Sequence, residues 1–103
     1  ADHFLALVDG VPVGTVRLVD LGGGTGLLGR LAVLPKGRGN GTGVALVRAV
    51  EERARERGLD TVELHAQTHA LGFYTRLGYT AHGEEFLDAG IAHMHMVREL
   101  RRR

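Results

Sequence analysis

The sequence predicts an α+β fold built on one mixed sheet, and three observations lead there. Short apolar runs separated by glycine-rich turns occupy both ends of the chain. A single, strongly periodic helix fills the middle. A strand precedes that helix and another follows it, so a helical crossover joins them and they must lie parallel. The remaining runs are joined by turns too tight for anything but antiparallel pairing.

Taken in order, His3 to Val8 reads as a strand, and Asp9-Gly10 after it is a strong hairpin signal. Val11 to Val19 returns as the second strand, with Pro12 confined to its start. Gly22 to Gly26 forms the next turn and leads into a third strand over Leu27 to Leu34. Pro35 ends that strand. After the helix, Thr61 to Ala66 is a short strand, Ala70 to Leu77 a second helix, and Gly78 its stop. Tyr79 to Leu87 and Ile91 to Leu100 form a closing hairpin around Asp88-Ala89-Gly90. No linker or internal repeat divides residues 1–103, so we expect one domain.

The central helix begins near Val44 and stops at Gly58. Val44, Leu46, Val47, Val50 and Ala54 recur at helical spacing and predict its buried face. Arg48, Glu51, Glu52, Arg55 and Glu56 fall on the other side, with Glu51 and Arg55 placed as a surface pair. Ahead of it lies the glycine-dense turn from Gly37 to Gly43. Strand, glycine turn and helix together aim several backbone N–H groups at one point, where the helix dipole also favours negative charge. That is an anion site, most often for phosphate.

A competing match to G-x-G-x-x-G, Gly24 to Gly29, runs into a strand instead of a helix and reads as a turn. The sole lysine, Lys36, precedes the glycines, so the spacing of a nucleoside-triphosphate loop is absent. A diphosphate held mainly by backbone amides fits better.

A formal charge of +1 gives no reason to expect nucleic acid, and the Arg101-Arg102-Arg103 tail reads as a solvated terminus. No apolar run reaches membrane-spanning length, and no signal peptide is visible. The chain has no cysteine, so disulfides, thiolate metal sites and cysteine nucleophiles are excluded. The expectation is a soluble, cytoplasmic protein.

Arg38-Gly39-Asn40-Gly41-Thr42-Gly43 resembles the R/Q-x-x-G-x-G/A signature of the GNAT superfamily of coenzyme A-dependent N-acyltransferases. Gln67 to Tyr79 is similar to that superfamily's N-x-x-A-x-x-x-Y-x-x-x-G-F/Y segment, with Gln67 where asparagine is usual. The tail from Gly83 to Met96, and Ala66-Gln67, resemble its ElaA-like and YjcF-like branch. The resemblance implies a GNAT-like acyl-CoA N-acyltransferase fold lacking the first strand and first helices, since Ala1 stands where the second strand begins.

It also implies roles. Arg38, Gly39, Asn40, Gly41, Thr42 and Gly43 would hold the diphosphate of acetyl-CoA. Leu31, Ala32 and Val33 would flank the pantetheine arm, one of their N–H groups polarising the thioester carbonyl. Gln67 would anchor the arm, and Tyr74 would bind near the sulfur and protonate the leaving thiolate. The implied reaction is direct attack by an amine, from a small molecule or a peptide, in a ternary complex without metal. The alternative is a non-catalytic coenzyme A-binding or protein-interaction module.

No general base stands out. Glu63 and His65 share one strand face, and so do His93 and His95. Each also reads as ordinary surface or a satisfied histidine. His93 and His95 lack a third ligand nearby in sequence, so a metal is not predicted. An exposed strand at the amino end makes a homodimer possible.

Overall fold

A computed structural model describes residues 1–100; the arginine tail lies outside the described residues. The elements follow the expected order: β1 (Asp2–Val8), β2 (Val11–Gly22), β3 (Thr25–Val33), α1 (Thr42–Glu56), β4 (Thr61–Gln67), α2 (Leu71–Arg76), β5 (Thr80–Asp88) and β6 (Ile91–Glu99). Single 3-10 turns, Pro35–Gly37 and Thr68–Ala70, lead into the two helices. All six strands form one sheet in the order β1-β2-β3-β4-β6-β5. β3 and β4 are parallel and every other pairing is antiparallel, so the sheet is mixed.

The first hairpin turns through Asp9 and Gly10, both at positive φ (51° and 79°), the geometry that matches strand twist. The closing hairpin does the same at Ala89 and Gly90. Within β3 the chain carries a bulge: Arg17 pairs with Gly29 and Thr15 with Ala32, leaving one extra residue on β3. Arg30 supplies the kink, at φ 56°.

Both helices pack on one face of the sheet. Val62, Leu64 and Ala66 alternate into that core, where they meet Val47, Val50, Ala54 and Met96. Gly14 permits the closest approach, because a Cβ there would lie 2.9 Å from Leu46 Cδ1 of α1. The opposite face carries Glu63, His65 and Gln67 of β4 beside Val97, His95 and His93 of β6. No helix among the described residues is long and apolar enough to cross a membrane.

Two sequence expectations about α1 are corrected. Glu51 is not on the exposed face; it is completely buried, and both of its oxygens are held. Arg55 pairs with Glu52 instead, at 3.5 Å. Val44 is 38% exposed and lies over the cleft described below, so the buried face starts at Leu46.

Candidate active site

The site is made by strands that separate. β3 and β4 pair only from Thr25↔Thr61 to Leu27↔Glu63, after which the bulge at Arg30 turns β3 away. β4 stays paired to β6 along its whole length, so a gap opens within the sheet. The resulting cleft, of about 1120 Å³, runs from the glycine turn to the end of β4.

Leu34 donates its N–H to Val13 on β2 at 2.7 Å. By strand alternation Ala32 also faces β2, whereas Leu31 and Val33 turn their backbone groups toward the gap. Arg38 Nε donates to the Val33 carbonyl at 3.0 Å, across the end of the strand.

At the mouth of the cleft, α1 starts on Gly41 (φ 81°), with no side-chain cap and no acidic residue in its first turn. Gly39 has a similar conformation (φ 79°). The first bonded amide of the helix is that of Ala45, which reaches the Gly41 carbonyl at 2.9 Å. The N–H groups from Gly39 through Val44 find no acceptor among the described residues. A helix start is usually stabilised by about 1 kcal/mol by a capping side chain. Here it is left open, with its dipole directed at the cleft.

Arg38, Gly39, Gly41, Thr42 and Gly43 all line this mouth. Asn40 does not. Its Oδ1 accepts from Thr42 Oγ1 at 2.6 Å, so its side chain shapes the turn.

Leu31, Ala32, Val33, Gln67 and Tyr74 also line the cleft. Tyr74 is 8% exposed and packs edge-on against Phe73 and Tyr79, with ring centroids 5.0 and 5.9 Å away. Its hydroxyl has no partner among the described residues and is not sealed, so it opens on the cleft. Burial pushes its pKa above the ordinary tyrosine value and keeps it protonated.

Beneath the site, Glu51 ties the elements together. Arg48 Nη1 and Arg98 Nη1 donate to Oε1 at 2.8 and 2.7 Å, and the Tyr79 hydroxyl donates to Oε2 at 2.8 Å. Arg48 also reaches the Leu77 carbonyl at the end of α2. Burial alone would raise the Glu51 pKa; these donors outweigh it and hold the carboxyl below its ordinary value. The same carboxylate pushes the buried Tyr79 phenol well up, after burial itself. Helix α1, strand β6 and helix α2 are thus fixed to one another.

The sequence model of the acetyltransferase (GNAT) domain matches residues 1–100. The chain belongs to the GNAT acetyltransferase family. A Bacillus subtilis relative provisionally named an acetyltransferase is 43% identical over 97 residues, covering 94% of this GNAT chain and 65% of the relative. The uncharacterized N-acetyltransferase YjcF of the same organism is 37% identical over 100 residues, covering 96% and 71%. Escherichia coli ElaA superposes with a TM-score of 0.81 at 28% identity, over 94% of this chain and 67% of that one. An aminoglycoside 6'-N-acetyltransferase solved with coenzyme A shares the fold, with a TM-score of 0.85 at 20% identity over 98% and 73%. The chain therefore spans about two thirds of these relatives, 65% of the first.

Of the four side chains weighed as general base, His65 and His93 line the cleft. His93 of β6 lies in the same cleft as Tyr74 and opposite Gln67. Alternation places it on a face with His95, but the position of β6 beside β4 is a matter of strand order, which sequence periodicity does not carry. No group of three or more His, Asp or Glu side chains is arranged to hold a metal among the described residues.

Proposed function

We propose that this GNAT chain is an N-acetyltransferase domain that passes the acetyl group of acetyl-CoA to a primary amine by direct attack. The observation that carries the reading is the run of unpartnered amides from Gly39 to Val44 at an uncapped helix start, opening into a gap between parallel strands. The diphosphate would take those amides, with Arg38 beside it. The pantetheine arm would enter as a guest strand next to Leu31, Ala32 and Val33. Gln67 would anchor the arm, and an N–H from Leu31 or Val33 would stabilise the developing oxyanion. Tyr74, kept protonated by burial, would donate to the departing sulfur.

Calorimetric titration with coenzyme A, followed by thiol release from acetyl-CoA with a panel of amines, tests the reading. Gly41→Val places a side chain where nothing now lies within 4 Å and forces it to positive φ. Affinity should fall by roughly tenfold or more, the equivalent of about 1.4 kcal/mol. Unchanged affinity in that variant would mean the diphosphate binds elsewhere. Binding without thiol release would make the chain a coenzyme A-holding module instead.

A further inference from the structure

The acyl-transfer reading leaves one proton without an acceptor, and one side chain on the helix-free face is built to take it. His93 is only 9% exposed, and its Nδ1 lies 2.7 Å from the Ile91 carbonyl oxygen. A carbonyl oxygen can only accept, so Nδ1 carries the hydrogen and the neutral ring keeps its lone pair on Nε2. Nε2 has no partner among the described residues and is not sealed, and the residue lines the cleft. The ring is held by stacking on Phe86, with centroids 5.9 Å apart and planes 24° from parallel. A backbone hydrogen bond and an aromatic platform therefore fix both the tautomer and the direction of this imidazole.

The other histidines on that face lack one of these properties. His95 is occupied, its Nε2 2.6 Å from Glu63 Oε1. His65 is exposed, makes only edge-on ring contacts with Phe86 and His95, and has no hydrogen bond to set its tautomer. His82 stands across from His95 and does not line the cleft.

We infer that His93 Nε2 is the general base, accepting the proton that the amine loses as it attacks the thioester. This rests on the acyl-transfer reading above. The strand gap passes through the sheet, and its two sides differ: Tyr74 approaches from the helix-covered face and His93 from the open one. A thioester lying in the gap has an acid on one side and a base on the other. The amine nitrogen adds to the carbonyl carbon from the open face, forming the C–N bond, and its surplus proton passes to His93 Nε2. The C–S bond then breaks, the electron pair leaves on sulfur, and the Tyr74 hydroxyl protonates it. His93 releases its proton to water and Tyr74 regains one, so the balance closes on amide and free thiol.

His93→Asn keeps a donor for the Ile91 carbonyl and removes the base. Coenzyme A affinity should persist while kcat/KM for the amine falls roughly 10²- to 10⁴-fold, the usual contribution of a positioned base. The ascending limb of the pH–rate profile should vanish with it. Other titratable or charged groups that share the face or the cleft are Arg30 on β3, Arg38 in the glycine turn, Glu63 and His65 on β4, His69 before α2 and Tyr74 within it, His82 on β5 and His95 on β6, so the same profile is recorded for His65→Asn, which should keep the limb. His93→Ala should regain turnover in proportion to added free-base imidazole, which a purely structural role would not allow.

A wild-type rate and profile in His93→Asn would overturn the assignment, as would a wild-type chain that binds coenzyme A and acetylates nothing. Independently of turnover, ¹⁵N NMR of the folded chain should find the neutral ring protonated on Nδ1; protonation on Nε2 would overturn it. Failure of the wild type to bind coenzyme A sinks the acyl-transfer reading first, and is told apart by that titration alone.

Discussion

Truncating Glu51 to alanine tests whether the buried carboxylate holds the site's elements together. Its three donors, Arg48, Arg98 and the Tyr79 hydroxyl, lie within 2.8 Å. At about 1.5–3 kcal/mol per hydrogen bond to a charged group, a simple sum overstates the loss. Arg48 and Arg98 are 43% and 27% exposed and can recover water. Tyr79 cannot, being 2% exposed, and its stranded hydroxyl costs about 1–3 kcal/mol. A small cavity adds to that, and removing one partner from a buried ion pair costs about 3–5 kcal/mol in all. Urea unfolding followed by circular dichroism should show that loss at constant m, with Tm lower by roughly 15–30 °C for a chain of this size. Tyr79→Phe should cost less, about 1–2 kcal/mol, and the two changes should be non-additive because they share one bond. A Glu51→Ala loss below about 1 kcal/mol would refute the network as a stabilising tie.

The same residue sets an acid limit. Because the folded pKa of Glu51 lies below its ordinary value of 4.5, its stabilisation is complete above that value and is lost as pH falls through the folded pKa. Stability measured against pH should therefore decline on the acid side, and more shallowly in Glu51→Gln; an equal slope in both proteins would assign the decline to other carboxylates. Gly14→Val, which drives a Cβ to within 2.9 Å of Leu46, should cost about 1–3 kcal/mol and weaken coenzyme A binding by lifting the start of α1. Denaturant melts and titration check both halves. Tyr74→Phe should lower kcat about 10²-fold with little change in KM, a split that steady-state assays of thiol release resolve.

Features set within a single element were legible in the sequence. Strand, glycine turn and helix are local, and the amides from Gly39 to Val44 point where that order of elements requires. Glu51 was not legible, because helical spacing reports only on its own helix. Its partners Tyr79 and Arg98 are 28 and 47 residues away, and only tertiary packing turns an apparent surface carboxylate inward. The sequence left His93 as one of four open candidates for the same reason: it shows a histidine on a strand face, but not that β6 inserts between β4 and β5 and carries it to the cleft. The bulge escaped notice because Arg30, a residue that seldom takes positive φ, makes it where a glycine would have signalled it.

That bulge is the source of the site. Parallel neighbours in the middle of a sheet ordinarily satisfy each other's backbone groups along their full overlap. Here β3 continues from Leu28 to Val33 and β4 from Leu64 to Gln67 without touching, although both lie between fully paired neighbours. Arg38 covers the Val33 carbonyl with its side chain, a local remedy for one such group. The other backbone groups facing the gap are left for water or for a guest with alternating donors and acceptors. An amide-bearing arm about the width of a strand would satisfy them as a missing strand would, and under the proposed reading its phosphate end would fall at the open amides of α1. The kink at Arg30 and the uncapped helix start, each unfavourable taken alone, are accounted for together if, as proposed, they are the two ends of one binding surface.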